Sequence, residues 1–210
     1  RSGRPENTLA TILLAYRMPP PGEVGGYGFG RVVQAMGRTD TQALAALHQW
    51  FAEAGLHGAI RMRNDGERAI RAVAEAAAYR RVPAVTHLET SPVGSSDSLG
   101  GCERFAQSIA GLTRTWRGAM EALLGIPLTA NSPMFAWLVG HVVYVYDRFQ
   151  THGRGGTSFE QVNGRPFTLK MLPFGTLALL RRVDALERGK LDDRWIEGVW
   201  LGRTHSSEEH

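Results

Sequence analysis

Cysteine is almost missing from this chain: Cys102 is the only one in 210 residues. A single thiol excludes an internal disulfide and a cysteine-rich zinc site, and it is compatible with a reducing compartment. Lysine is nearly as scarce, with Lys170 and Lys190 the only examples. The basic balance, 24 Lys+Arg against 20 Asp+Glu, therefore rests on arginine. Guanidinium groups grip phosphate bidentately and are weakly hydrated, which suits a nucleic-acid face. A coding bias towards Arg, Ala and Gly explains the same composition equally well, and a net charge of +4 does not establish such a partner. No apolar run is long enough to span a bilayer and no signal-peptide pattern opens the chain, so an intracellular protein with no membrane partner is expected. Internal repeats and low-complexity linkers are also absent from the sequence. The start at Arg1 instead of Met suggests a piece of a longer polypeptide.

Enough apolar sequence is present for a packed core, with 43% hydrophobic and 21% charged residues. Leu9 to Tyr16 reads as a buried strand, and Tyr27 to Ala35 as a second one weakened by its glycines. Asp40, or Thr39 just before it, is a plausible N-cap for a helix whose apolar spacing stops at Gly55. Ala59 to Arg63, Glu67 to Arg81 and Val82 to Leu88 read as strand, helix and strand. A long helix from Glu103 to Leu124 follows a Gly/Ser loop. Beyond Gly125 the sequence predicts an apolar helix over Met134–Phe149, a short one over Thr157–Val162, and two strands over Phe174–Arg182 and Ile196–Gly202. These strands are expected to form a hairpin or small barrel appended to the core.

Two acids stand out. Asp65 closes the third strand, and Glu103 opens the long helix. Carboxylates placed at a strand end and at a helix start converge on divalent metal in phosphoryl-transfer sites. Each also has an ordinary explanation: Asp65 as a helix N-cap, Glu103 as an acid favoured by the helix macrodipole. Glu67 is a first-turn acid that lies near the site or simply in solvent. Glu89 rivals Asp65 at a strand end, or is a surface loop residue; Asp97 reads as solvated. His87 reads as packed or satisfied. Cys102 lacks a His or Asn companion in sequence and reads as a small buried residue.

Four segments, in order, resemble the integrase region of Copia-type (Ty1-like) LTR retrotransposon polyproteins. Arg61-Met62-Arg63-Asn64-Asp65-Gly66-Glu67 is similar to the strand bearing that family's second catalytic Asp. Ser91-Pro92 through Gly101-Cys102-Glu103-Arg104 resembles the segment whose Glu is its third catalytic acid. Gly156 through Arg165 and Lys190 through Gly202 resemble two conserved downstream stretches. The departures are Leu99, where the family has Asn before the loop glycine, and the lack of a His/Cys zinc module before the core.

The resemblance implies an α/β, ribonuclease-H-like integrase core over residues 9–124, lacking its first strand, and a helical and β extension over 125–205. It implies two Mg²⁺ or Mn²⁺ ions held by three carboxylates, of which Asp65 and Glu103 are the second and third. The first Asp is expected on a strand before Leu9. DNA, as element ends and target duplex, is the implied partner, with Arg104, Arg114 and Arg117 as its contacts along the long helix or as an ordinary solvated face. A homo-oligomer and a location in the nucleus or a cytoplasmic virus-like particle go with it. The intact family cuts DNA 3′ ends and transfers strands; with one acid missing, this chain is expected to be inactive. The alternatives are a non-catalytic DNA-binding or interaction module, and a decayed element fragment.

Overall fold

The computed structural model describes residues 10–22, 25–33, 40–91, 99–153, 155–181 and 194–203. Strands β1 (Thr11–Arg17) and β2 (Tyr27–Val33) form an antiparallel hairpin, with Thr11 opposite Val33 and Arg17 opposite Tyr27. Alternate residues of β1 serve opposite faces, as the pleat requires. Ile12, Leu14 and Tyr16 pack into one core, Leu13 and Ala15 into another. Burial on both faces is why this strand reads as a continuous apolar run rather than an alternating one.

Helix α1 (Thr41–Glu53) begins where Asp40 Oδ1 accepts from the Ala43 amide at 2.8 Å, as the sequence predicts. Its buried face of Leu44, Leu47, Trp50 and Phe51 covers the Leu13 side of the hairpin together with α2 (Arg68–Arg80). Strands β3 (Ile60–Asn64) and β4 (Thr86–Thr90), one on each side of α2 in sequence, pair in parallel with Ile60 opposite Thr86. β4 starts later than the expected Val82. The segment Arg81–Ala84 is a turn in which the Ala84 amide donates to the Arg81 carbonyl at 2.8 Å, and Pro83 has no amide hydrogen for a ladder.

Helices α3 (Gly100–Leu124) and α4 (Pro133–Phe149) cover the other face of the hairpin. The glycines of β2 make this approach possible. A Cβ on Gly28 would collide with the Phe105 ring, and one on Gly30 would lie 2.7 Å from Val143 Cγ2. What reads in sequence as a weakness of the strand is a requirement of its packing. The core formed by Phe105, Ile109, Leu138, Val139 and Val142 runs across residue 125. The expected boundary there therefore does not separate two cores: α4 is a layer of the main body. Beyond it, α5 (Ser158–Asn163) starts with a capping box between Thr157 and Glu160, and β5 (Leu177–Arg181) pairs antiparallel with β6 (Trp195–Val199). That pair is a hairpin, not a barrel.

The architecture is mixed α/β. The alternating strand–helix order would build one sheet; the described residues instead form three separate two-stranded sheets. No helix among the described residues is long and apolar enough to cross a membrane.

One polar residue ties the second half of this body together. Arg81 is 6% exposed, and its guanidinium donates to the carbonyls of Leu56 and Gly58 (the latter at 2.6 Å) and to Thr86 Oγ1 at 3.0 Å. It also lies 4.9 Å from the centre of the Phe51 ring. A lysine has no fork to serve all three acceptors, so Arg81→Lys is expected to cost about 1–2 kcal/mol in urea unfolding.

Candidate functional site

The site grows from the end of β3. The Asn64 carbonyl accepts from the Ser91 amide at 2.8 Å, its Oδ1 accepts from Gly66 N at 2.9 Å, and its Nδ2 donates to the Glu89 carbonyl at 3.3 Å. Gly66 takes φ +83°, a left-handed conformation that L side chains rarely adopt. This turn projects Asp65 into solvent, where Oδ1 accepts from the Glu67 amide at 3.0 Å. Glu67 is the N-cap residue of α2 and makes no capping bond through its own exposed side chain. Asp65 therefore satisfies a donor at the entry to α2 while leaving Oδ2 for other work.

Glu103 is an exposed acid in the first turn of α3. Cys102, next to Glu103 in sequence, feels both acids. Its thiol pKa is pushed up by burial first, then by the charge of Glu103, then by that of Asp65. Both carboxylates thus act on one half-buried sulfur. The C-terminal end of β1 reaches the same place: a Cβ on Gly101 would strike the Met18 thioether, and Tyr16 stacks on Phe105 with centroids 5.0 Å apart. The Tyr16 hydroxyl accepts from the Gly26 amide at 2.7 Å, and its pKa is raised chiefly by burial.

Three element ends meet here, and only two bring an acid. The first Asp is expected on a strand before Leu9, which lies outside the described residues; the end of β1 beside α3 offers Tyr16 and Met18. Hard divalent cations want several oxygen donors, preferably anionic. Asp65 has one oxygen engaged, Cys102 is held as a neutral thiol, and Met18 is a thioether. Among the described residues no group of three or more His, Cys, Asp or Glu could hold a metal. This donor set does not fit the two-ion Mg²⁺ or Mn²⁺ centre that the resemblance implies.

The arginines of α3 are unequal. Arg104 and Arg114 are exposed; Arg117 is half-buried and donates to Glu121 Oε1 at 2.9 Å. The same oxygen accepts from the Leu128 amide at 2.9 Å, so Arg117 and Glu121 pin the α3–α4 connection. Both bonds hold the Glu121 pKa down, the Arg117 bond most. At about 100° per residue, Arg104 and Arg117 lie about 140° apart around the axis. The three form a broad basic face rather than one stripe.

Of the remaining acids and bases, Glu89 is a β4 residue and not a loop one. It bridges Arg61 at 3.0 Å and Arg63 at 2.8 Å on the neighbouring strand. His87, expected to be packed, is exposed on β4. Asp97 lies outside the described residues, as do most of the loop before Glu103 and the start of the segment at Lys190.

Sequence reasoning missed a fully buried carboxyl group. Asp147 is fully buried in α4; its Oδ1 accepts from the Gly28 amide at 2.9 Å and its pKa is raised well above the usual carboxylate range, chiefly by burial. Beside it, the Arg148 guanidinium carbon sits 3.5 Å from the centre of the Tyr144 ring. The only sequence signal was an Asp-Arg pair inside an otherwise apolar helix. Compared with protein-family models and with curated proteins, the chain matches none.

Proposed function

We propose that the chain is a Copia-type integrase-like domain of ribonuclease-H-like ancestry that binds duplex DNA and does not transfer strands. The observation that carries this reading is that Asp65, just past the end of β3, and Glu103, in the first turn of α3, both act electrostatically on Cys102. It supports reading Asp65 and Glu103 as counterparts of the second and third acids in the resemblance. The parallel β3–β4 pair on either side of α2, followed by α3, supports the same ancestry. The end of β1 beside α3 brings Tyr16 and Met18 and no carboxylate, which favours loss of catalysis.

Binding then rests on arginine. Arg104 and Arg114, exposed on α3, would meet backbone phosphates and release counterions without reading sequence. A location in the nucleus or a virus-like particle and a homo-oligomer belong to this same proposal.

The test has two arms. With Mg²⁺ or Mn²⁺ and DNA ends of any sequence, no strand-transfer product is expected; robust product would sink the proposal. Duplex binding measured by anisotropy should weaken with salt. Arg104→Gln should lower the slope of log affinity against log salt by about one. Affinity that ignores salt would remove DNA as the partner.

A further inference from the structure

A backbone nitrogen attacks the side-chain carbonyl carbon of a preceding Asp or Asn most easily when it belongs to glycine, which has no Cβ to crowd the approach. Asp-Gly and Asn-Gly each occur once in this chain, at Asp65–Gly66 and Asn163–Gly164. Asp65 and Asn163 are both exposed, so water reaches either side chain. The fold nevertheless treats the two bonds differently. Asp65 Oδ1 accepts from the Glu67 amide at 3.0 Å. That bond closes a turn over the intervening peptide and holds the carboxyl beside the Gly66 nitrogen. The Gly66 amide hydrogen goes only to Asn64 Oδ1, at 2.9 Å, so this nitrogen belongs to no helix or sheet ladder. At the second bond, Asn163 Nδ2 donates to the Phe159 carbonyl at 3.0 Å, one turn back along α5. Gly164 N donates to the Glu160 carbonyl at 2.8 Å as the helix C-cap. The side-chain amide is drawn back along the helix, and the nitrogen that would attack it is engaged.

We propose that Asp65–Gly66 is a site of spontaneous isoaspartate formation in the folded protein, and that Asn163–Gly164 is protected from the corresponding reaction. In the first step Gly66 N bonds to Asp65 Cγ. The carboxyl loses its hydroxyl and the amide its hydrogen, which leave together as one water, and a five-membered cyclic imide results. Water then adds to the main-chain carbonyl carbon of Asp65 and breaks its bond to Gly66 N. The main chain now continues through Cγ, one methylene longer, and the former main-chain carbon carries the free carboxylate. No oxidant, reductant or other partner enters. The Glu67 amide loses its acceptor at the entry to α2, and the acid moves relative to Cys102. This chemistry requires neither DNA binding nor integrase ancestry.

The test uses the full chain, aged at physiological temperature and neutral pH with and without urea, then digested with trypsin and read by mass spectrometry. In the folded parent, the peptide Asn64–Arg68 should develop a second chromatographic peak of unchanged mass. Asp65→Glu should abolish it, because the longer side chain closes a larger ring more slowly. Asp65→Asn gives both bonds the same chemistry in one molecule: each then loses ammonia and is read by the same mass change. Residue 65 is exposed and asparagine offers the same acceptor to the Glu67 amide, so this variant is expected to fold. Folded, it should deamidate at position 65 about tenfold faster than at Asn163, whose reaction waits for local opening of α5. In urea the two rates should converge, since neither bond is then held. Equal folded rates at the two positions would overturn the protection of Asn163. A folded rate at position 65 far below its rate in urea, or a parent peptide free of isoaspartate, would overturn the site.

Discussion

Phe105→Ala is expected to lower stability by about 3–5 kcal/mol, enough to unfold much of the protein at room temperature. Phe105 is 2% exposed and lies where α3 crosses the β1–β2 hairpin. It stacks on Tyr16 at 5.0 Å and meets Tyr146 edge-on at 5.5 Å, and Gly28 leaves the space it fills. Truncation loses the transfer energy of the ring and leaves a cavity that the rigid strand opposite cannot collapse into. Phe105 also sits two positions after Glu103, so its loss frees the first turn of α3 and the carboxylate it positions. Urea unfolding gives the stability. Leu112→Ala, at the half-buried margin of the same core, should cost clearly less. Equal costs for the two would mean that Phe105 is not the anchor.

Asp147 is expected to make the protein less stable as the medium turns alkaline. Burial is the main cause of its raised pKa; the Glu53 carboxylate adds to it, while the Gly28 amide and the Arg148 guanidinium oppose it. Tyr27, whose own pKa is also raised chiefly by burial, lies within reach of the same charge. With the folded-state pKa above the ordinary carboxylate value of 3.8, the folded protein holds a proton that the unfolded chain releases. The stabilisation is complete below about pH 3.8 and is lost as pH rises through the higher folded-state value. Asp147→Asn keeps the shape and an acceptor for Gly28 N without the ionisation. Its melting temperature should match the parent in acid and exceed it in alkali. Asp147→Ala instead orphans the Gly28 amide and opens a void, and should cost about 2–4 kcal/mol at any pH. Parallel melting curves for the parent and Asp147→Asn across the whole pH range would refute this account.

The order of strands and helices was legible in the chain because it depends on local rules. Asp40 caps α1 through Ala43, Gly55 and Gly125 end their helices in left-handed conformations, and Thr157 with Glu160 forms a complete capping box. The start of β4 was misplaced because the turn at Arg81–Ala84 depends on a guanidinium reaching back to Leu56 and Gly58. His87 was read as packed because a histidine on a strand gives no sign of which strand face is covered. The role of Glu89 depended on Arg61 and Arg63 coming alongside, which only the parallel register of β3 and β4 brings about.

Sequence by itself determined the mixed α/β class, the arginine-based charge, and Asp65 and Glu103 as the acids to watch. These follow from residue type and spacing, which act within a few positions of the chain. Tertiary structure decided what surrounds the two acids: a half-buried thiol on which both act, and the end of β1 with Tyr16 and Met18 beside α3. It also decided that α4 belongs to the main core. Metal binding depends on groups distant in sequence meeting at ligand distance. That proximity is a property of packing, and no local pattern encodes it.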